Sequence, residues 1–182
     1  SSNMTLVPND PSNLILGGSG DNRTINVVPA LDQVGSTTIT LRVEDSGSLF
    51  DTATFTVTVT NINDAPTIIS TAVTAATEDV LYTYTVETDD VDGNLVTLDA
   101  STLPGWLTFD ASTGVLTGTP GNEHVGDHAV VIKATDGNGG EATQAFTVTV
   151  TNTNDAPTII STAVTAATED VLYTYTVEAD DV

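Results

Sequence analysis

The feature that most constrains this chain is a sequence repeat with an offset of 91 residues. The segments 63–91 and 154–182 are identical at 28 of 29 positions, and only Thr88 is replaced, by alanine. Upstream of them, residues 29–62 match residues 120–153 at 12 of 34 positions without a gap. A repeat of this length indicates a tandem array of similar modules.

The sequence Asn-Asp-Ala-Pro, at 63–66 and again at 154–157, is typical of a linker between domains. The two copies of this linker lie inside the sequence, so the domain boundaries do not coincide with residues 1 and 182. We therefore predict three pieces, of which only the middle one is a whole domain. Residues 1–62 are the C-terminal part of a repeat that lacks its first two strands, 63–154 form a complete repeat, and 155–182 supply the first two strands of the next repeat.

Most of the sequence alternates between apolar and polar residues with a period of two. Phe146, Val148 and Val150 share one face of such a segment, and threonines occupy the other face. This pattern is typical of antiparallel strands with one buried and one solvated side. Turn sequences rich in Gly, Asn, Asp and Pro separate the segments. About seven short strands per repeat predict an all-β fold of tandem seven-stranded immunoglobulin-like β-sandwiches, with strands near 67–73, 80–88, 95–100, 106–110, 114–118, 128–135 and 142–151.

The two partial pieces pose a problem of stability. Each piece alone would expose unpaired strand edges and half of a hydrophobic core. Two solutions are open at this point. Either the polypeptide continues on both sides and completes each sandwich in cis, or an identical chain contributes the missing strands, because strand addition between molecules is an established mode of recognition.

The charge balance restricts the partners. The chain has 25 Asp and Glu against 3 Lys and Arg, for a formal net charge of −22. Such a surface repels nucleic-acid phosphates and anionic membranes, and it favours metal cations. The chain has no cysteine, which excludes disulfides, thiolate metal sites and thiol catalysis. It also has no run of 18 apolar residues, so we expect no membrane insertion in this segment.

The acidic residues gather where the strand pattern stops. In a sandwich, the linker that enters the domain and the turns after the second and sixth strands lie at the same end. We therefore expect one group to converge there: Asp64, Asp90, Asp92, Asn94, Asp136 and Asn138. Asp, Asn and Gly are also ordinary turn residues, so each motif alone is weak. The whole set, with oxygen ligands and no His or Cys, predicts Ca²⁺.

Several motifs resemble those of cadherin-like repeats. The linker Val59-Thr-Asn-Ile-Asn-Asp-Ala-Pro66 and the turns Asp90-Val-Asp-Gly-Asn94 and Ala134-Thr-Asp-Gly-Asn-Gly139 look like cadherin linker and calcium motifs. Two further stretches, Leu103–Asp110 and Thr113–Pro120, resemble the bacterial dystroglycan-type cadherin-like (putative immunoglobulin) repeat. The resemblance covers 63–157, and 1–62 looks like the end of a related repeat of large bacterial surface proteins.

This resemblance implies two calcium junctions. The first would use oxygen ligands from the linker and the central domain: Asn61, Asn63, Asp64, Asp90, Asp92 and Asp136, with Asp32 as a further contributor. The second would use Glu78, Glu123, Asn152, Asn154, Asp155 and Asp181. Both sets depart from the cadherin pattern, since Asn61 and Asn152 replace the first linker aspartate. Fewer charges imply fewer or weaker calcium ions.

We interpret the chain as a structural stalk or adhesion repeat of an extracellular, cell-surface or secreted bacterial protein. Calcium would rigidify its junctions, and identical chains could complete one another's partial domains in a filament. We expect no enzymatic activity, because no serine or cysteine has an adjacent base and the acids lie in solvated junctions. The alternative is a carbohydrate-binding module that meets a surface polysaccharide through Trp106 or an exposed sheet face, although Trp106 lies in an apolar run typical of a core.

Overall fold

The regular structure of this chain is almost entirely β. The computed structural model describes residues 1–181, and Val182, the last residue of the predicted segment 155–182, lies outside the described residues. The strands are β1 Leu14–Ser19, β2 Asn22–Val27, β3 Gly35–Glu44, β4 Phe50–Val59, β5 Thr67–Ile68, β6 Ala75–Thr77, β7 Tyr82–Thr85, β8 Thr88–Asp89, β9 Thr97–Thr102, β10 Thr108–Asp110, β11 Val115–Gly118, β12 Gly126–Thr135, β13 Glu141–Thr151, β14 Thr158–Ile159 and β15 Ala179–Asp180. One 3₁₀ turn covers Asn122–His124. The all-β prediction is therefore confirmed.

Chain contacts divide the molecule into two compact units. The N-terminal unit comprises Ser1–Ala65 together with Asp90–Asn94, and the C-terminal unit comprises Pro66–Asp89 together with the chain from Leu95 onward. The turn 90–94 thus belongs to the same unit as the linker, although the strands that flank it belong to the other unit. The predicted boundaries at 62 and 154 remain a prediction.

The C-terminal unit contains a β-sandwich. One sheet has the order β6-β13-β12-β9, the other has the order β10-β11-β7, and β5 pairs with β8 separately. All these pairings are antiparallel except that of β6 with β13. β6 and β7 lie on different sheets, so the short segment between them carries the chain from one layer to the other.

Strict alternation along the longest strands produces the core. Val130 and Ile132 of β12 and Val148 of β13 are fully buried, while their neighbours in sequence face outward. Leu116 of β11 closes the cluster from the opposite sheet at 0% exposure. Threonines on the outer face suit a solvated sheet surface. The same alternation that predicted these strands therefore also places the core.

The N-terminal unit is built from two hairpins. β1 pairs with β2, and β3 pairs with β4 over ten residues from Gly35↔Val59 to Glu44↔Phe50. Its buried cluster is small, because only Leu6, Val7 and Ile39 are fully covered. Partly buried residues of both hairpins surround them.

The strand bounds differ from the prediction where the chain changes sheets. Of the expected strand 67–73, only Thr67–Ile68 forms a strand, β5, and the next strand, β6, begins at Ala75. The expected strand 80–88 is divided into β7 and β8. The strand expected at 80–88 is broken because β7 pairs with β11 and β8 pairs with β5. The strand expected at 106–110 begins at Thr108, because Trp106 and Leu107 lie in a turn and point into the core. Within the described residues, no helix is long and apolar enough to cross a membrane.

Candidate functional site

The linker and the turn 90–94 contact each other directly. The main-chain N–H of Asp64 donates a hydrogen bond to Asp92 Oδ2 over 2.7 Å. The side-chain amide of Asn94 donates to Asn63 Oδ1 over 3.0 Å. Both contacts lie within the N-terminal unit, so the structure brings together linker and turn residues that are 28 and 31 positions apart.

Asp90 organises the turn through one of its two carboxylate oxygens. Its Oδ1 accepts hydrogen bonds from the main-chain N–H groups of Asp92, at 3.0 Å, and Asn94, at 3.2 Å. Its Oδ2 is buried and has no hydrogen-bond partner among the described residues. A buried carboxylate oxygen without a partner is costly, because its charge has lost water without gaining a donor. This oxygen is therefore available to a cation.

Asn61 and Asp32 border the same part of the linker. A groove of about 380 Å³ is lined by Asp32, Asn61 and Asp64 together with the chain that precedes β3. Asp32 adopts a φ of 55°, which holds the residue in a left-handed turn. Linker residues thus make hydrogen bonds with the turn 90–94, and linker residues also line this groove together with Asp32.

Asp136 belongs to the C-terminal unit and is 5% exposed. Its Oδ1 accepts the main-chain N–H groups of Asn138, at 2.7 Å, and Gly140, at 2.9 Å. Asp45, its counterpart one repeat earlier, makes the same pattern with Gly47 and Leu49. At least one role of Asp136 is therefore to close the turn between β12 and β13, which is the ordinary turn chemistry of aspartate.

Glu78 is the most buried acid of the second predicted set. It is 1% exposed, and its Oε2 accepts the main-chain N–H of Thr153 over 3.0 Å. The Thr153 hydroxyl donates to the Glu78 carbonyl over 3.4 Å. Glu78 thereby ties the beginning of the domain to the second linker. Thr153 was not among the predicted site residues, because a single threonine just after a threonine-rich strand carries no distinguishing signal.

The other members of the second set are more exposed. Asp155 Oδ2 accepts from the side-chain amide of Asn122 over 2.9 Å. Glu123 and Asn152 line one groove of about 570 Å³. Asn122 was also missed, although it directly precedes the predicted Glu123 and could have been found by that adjacency. Asn154 and Asp181 are exposed, and the Asn154 amide donates to the Asp155 carbonyl.

The side chains at both linkers offer carboxylate and amide oxygens, which are the ligands that calcium binds in proteins. Within residues 1–181, no three His, Asp or Glu side chains are gathered closely enough to hold a metal by themselves. Calcium, however, also takes amide and main-chain carbonyl oxygens and water as ligands. The unpartnered Asp90 Oδ2 is one such oxygen, and the linker and the turn 90–94 also carry the amide side chains of Asn63 and Asn94.

Trp106 and the two histidines form an aromatic cluster inside the sandwich. Trp106 is 8% exposed and packs edge-on against Tyr82, with ring centroids 5.8 Å apart. His128 lies edge-on to the same indole at 5.8 Å, and His124 lies at 6.3 Å. The core interpretation of Trp106 is confirmed.

Comparison of sequences relates the chain to bacterial adhesins. Residues 65–151 match the family described as "Putative Ig domain". The "Serine-rich adhesin for platelets" of Staphylococcus aureus strain MSSA476 is 29% identical over 168 residues, which is 91% of this chain and 7% of that protein. The protein of the same name in strain MRSA252 is 31% identical over 148 residues, 80% of this chain and 11% of that protein. The chain therefore spans only about a tenth or less of the length of these relatives.

Comparison of structures relates the fold to cadherin extracellular domains. Human CDH23 EC21-23 superimposes with a TM-score of 0.57 at 20% identity, over 96% of this chain and 67% of that one. The protocadherin gammaB7 EC3-6 structure gives a TM-score of 0.52 at 17% identity, over 93% of this chain and 49% of that one. At this identity the likeness concerns the fold alone. Residues 65–151 thus match the family described as "Putative Ig domain", and the fold is similar to the β-sandwiches of cadherin extracellular domains.

Proposed function

We propose that this chain is a non-enzymatic stalk or adhesion repeat of an extracellular bacterial protein, with inter-domain linkers that calcium rigidifies. The observation that carries the calcium proposal is the buried Oδ2 of Asp90, which has no hydrogen-bond partner among the described residues. The match to the Putative Ig domain family and to proteins named as adhesins supports the adhesion role and a location on the cell surface or in the medium.

Repulsion among the linker acids explains why a cation would matter. Two carboxylates about 5 Å apart repel by roughly 3 kcal/mol at an effective dielectric constant of 20. The main-chain N–H of Asp64 donates to the Asp92 carboxylate, and Asp90 lies two residues before Asp92 in the same turn. A divalent ion held there would replace this repulsion with attraction.

At the first linker, calcium would be held by residues of the turn 90–94 and of the linker itself. Asp90 would contribute Oδ2, and Asp64, Asp92, Asn63 and Asn61 would contribute further oxygens. The bound ion would neutralise the acids and couple the linker to the turn. The Asp92 and Asn63 side chains already connect the linker to the turn through the hydrogen bonds described above, so calcium would add stiffness to a segment that is partly ordered.

A second junction is proposed around Glu78. This carboxylate is almost completely buried, and Thr153 supplies one main-chain donor to it. Asp155, held by Asn122, and Glu123 would be its companions on the second linker. Neighbouring repeats are the expected partners at each junction. No observation within residues 1–181 favours polysaccharide binding through Trp106, because its ring is buried.

Thermal unfolding with calcium or with excess chelator tests the calcium proposal. A ligand that binds only the folded protein stabilises it by about 1.4 kcal/mol when its free concentration is ten times its Kd. We expect the unfolding midpoint to rise by roughly 3–6 °C in millimolar calcium. Asp90→Asn keeps the shape of the turn and should reduce this rise, whereas Asp99→Asn removes the same charge from β9 and should not. An identical midpoint with and without calcium would refute the proposal.

Glu78→Gln examines the second junction separately. The amide can still accept from Thr153 N–H but carries no charge for a cation. If calcium binds here, the calcium-dependent rise of the midpoint should shrink, and in the double variant with Asp90→Asn it should vanish. A full rise in the double variant would place calcium elsewhere in the chain.

A further inference from the structure

The tripeptide Asp-Gly-Asn occurs in two turns of the chain, and a different residue follows it each time. Asn94 precedes Leu95 in the turn 90–94, whereas Asn138 precedes Gly139 in the turn between β12 and β13. Asn138-Gly139 is the only Asn-Gly pair in the sequence. Such a pair is chemically vulnerable, because glycine has no side chain to hinder attack of its main-chain nitrogen on the preceding carboxamide.

The structure leaves this pair accessible. Asn138 and Gly139 are both exposed. Within residues 1–181, neither the Asn138 carboxamide nor the Gly139 main-chain N–H has a hydrogen-bond partner. Gly137 and Gly139 have φ values of 78° and 106°, so the residue type with the widest choice of backbone angles stands on both sides of the asparagine. The Gly139 nitrogen can therefore approach the Asn138 carboxamide without breaking a hydrogen bond.

Asn94 is restrained, although it belongs to the same tripeptide. Its carboxamide donates a hydrogen bond to Asn63 Oδ1 over 3.0 Å, which holds the amide in one orientation. Its main-chain N–H donates to Asp90 Oδ1 over 3.2 Å. The side chain of Leu95 stands next to the nitrogen that would have to attack. The two asparagines therefore differ both in restraint and in steric access.

The Asn138-Gly139 pair lies inside a turn that is tied at two points to one carboxylate oxygen. Asp136 Oδ1 accepts the main-chain N–H of Asn138, at 2.7 Å, and that of Gly140, at 2.9 Å. The Asp136 N–H donates to the Gly140 carbonyl over 3.3 Å. The bond between Asn138 and Gly139 lies between the two accepted N–H groups. A change in the number of main-chain atoms there alters the spacing of these two groups.

The equivalent turn one repeat earlier closes without an Asn-Gly pair. Asp45 Oδ1 accepts the main-chain N–H groups of Gly47, at 2.8 Å, and Leu49, at 2.9 Å. At the offset of 91, Gly47 and Ser48 occupy the places of the reactive pair. Ser48 has a φ of 68°, so this turn accepts a residue with a side chain in the left-handed region. Turn closure therefore does not require the pair, and serine has a precedent at the position of Gly139.

We propose that Asn138 deamidates spontaneously, which makes the turn between β12 and β13 a site of slow covalent modification by water. The Gly139 nitrogen attacks Cγ of Asn138, loses its proton and displaces ammonia, which closes a succinimide ring. Water then opens the ring. Opening at Cγ leaves an aspartate, whereas opening at the main-chain carbonyl leaves an isoaspartate, in which the chain runs through Cβ and Cγ. The step needs no oxidant or reductant, and the inference depends neither on calcium nor on an adhesion role.

The two products affect the turn differently. Aspartate adds a negative charge two residues from Asp136 and keeps the length of the main chain. Isoaspartate adds one carbon atom to the main chain between the N–H groups of residues 138 and 140. The two groups are then no longer spaced as Asp136 Oδ1 requires, so we expect one bond to be lost. Loss of a hydrogen bond to a charged group should raise the unfolding equilibrium constant roughly tenfold.

Peptide mapping of the aged protein tests the site. The intact folded chain is incubated, denatured and cleaved with trypsin after the three basic residues, Arg23, Arg42 and Lys133. Asn94 then lies in fragment 43–133 and Asn138 in fragment 134–182. Tandem mass spectrometry locates each exchange of –NH2 for –OH. We expect Asn138 to deamidate at least about tenfold faster than Asn94, which corresponds to about 1.4 kcal/mol in activation free energy.

Two variants separate the chemistry of the pair from general ageing. Gly139→Ser keeps the asparagine, reproduces the residue found at position 48 and should slow deamidation of Asn138 roughly tenfold. Asn138→Gln keeps a side-chain amide but would have to close a larger ring, so position 138 should stay unmodified over the same period. Both positions are exposed, so neither substitution should unfold the domain. Circular dichroism of the fresh proteins checks this.

Urea unfolding of the aged protein tests the effect on the turn. Labelling by an isoaspartyl methyltransferase quantifies isoaspartate, and Trp106 fluorescence reports unfolding of the C-terminal unit. The aged wild-type chain should unfold at lower urea than the fresh chain, whereas aged Asn138→Gln should not. Asn138→Asp supplies the charge without the added main-chain atom, so the fresh variant should unfold close to the fresh wild type.

The outcomes that overturn the inference are distinct. Equal deamidation of Asn94 and Asn138, or a rate that Gly139→Ser leaves unchanged, would refute the reactive pair. Equal stability of the aged wild type and aged Asn138→Gln would refute the effect on the turn. A loss of stability in fresh Asn138→Asp as large as that of the aged wild type would refute the role of isoaspartate. All measurements are made in excess chelator, so none of them depends on calcium.

Discussion

Tyr82 and Tyr173 stand 91 positions apart, and each hydroxyl donates a hydrogen bond to the main-chain oxygen of the valine nine residues earlier, Val73 or Val164. The bond is the same, but its surroundings differ. Tyr82 is buried between two sheets, whereas nearly half of Tyr173 is exposed to water. The same tyrosine with the same hydrogen bond therefore occurs once buried and once exposed, and the two copies can be compared directly.

Replacing Tyr82 with Phe should remove one buried hydrogen bond while keeping the ring. We expect the free energy of unfolding of the C-terminal unit to fall by about 0.5–1.5 kcal/mol. Tyr173→Phe is the matched control and should leave it unchanged, because water replaces the lost bond. Trp106, the only tryptophan, lies in this unit and reports its unfolding in urea by fluorescence. Equal losses in the two variants would contradict the difference in burial.

Alkaline pH should destabilise the C-terminal unit through the ionisation of Tyr82. Burial, and secondarily the neighbouring Tyr84, raise the pKa of Tyr82 to about 12. Between the ordinary pKa of about 10 and this value, the unfolded chain has lost the phenol proton that the folded protein retains. The unfolded state then binds fewer protons, so stability falls as pH rises through this window. Tyr82→Phe should show a shallower decline in the urea midpoint from pH 10 to 12, and an unchanged slope would contradict the assignment.

Trp106→Ala should destabilise the sandwich because it leaves a cavity among Tyr82, His124 and His128. Truncation of a large buried aromatic residue costs about 3–5 kcal/mol. Trp106→Phe should cost less, since the indole Nε1 has no hydrogen-bond partner among the described residues and its loss removes an unsatisfied group. Circular dichroism during urea unfolding measures both variants. Loss of polysaccharide affinity at unchanged stability would instead favour a sugar site.

Gly114→Ala should destabilise the protein more than the same substitution at Gly137, a glycine with a similar backbone φ angle. Gly114 and Gly137 have φ values of 71° and 78°, so both substitutions strain the backbone, by about 1–2 kcal/mol. At Gly114 the added Cβ would also lie 2.6 Å from the Val86 carbonyl oxygen, whereas at Gly137 it would meet nothing within 4 Å. We expect a clearly larger drop in the thermal midpoint for Gly114→Ala, and equal drops would refute the steric argument.

Strong alternation made the long strands predictable. The expected strands 128–135 and 142–151 are observed as β12, which begins at Gly126, and β13, which begins at Glu141. Alternation indicates which side chains face inward, but it does not say which sheet a strand joins. The strand predicted at 80–88 is divided for this reason, since β7 pairs with β11 and β8 pairs with β5.

The candidate site was partly predictable as well. Turn aspartates and the Asn-Asp-Ala-Pro linker carry local signals, and the structure joins Asp64 to Asp92 and Asn63 to Asn94. The near-complete burial of Glu78 and the bond from Asn122 to Asp155 carry no such signal. Both depend on strands that are distant in the sequence and approach one another only in the folded domain. Their roles as calcium ligands remain a prediction.

The sequence alone determined the repeat, the β character of its segments and the inward-facing side chains, because these follow from local alternation and turn chemistry. Only tertiary structure decided which copy of the repeated segment becomes a complete pair of strands. Ala75–Thr77 and Tyr82–Thr85 are strands, while the identical residues at 166–168 and 173–176 are not. Short strands need hydrogen-bond partners and a covering core, and within residues 1–181 only the first copy has β13 and β11 beside it.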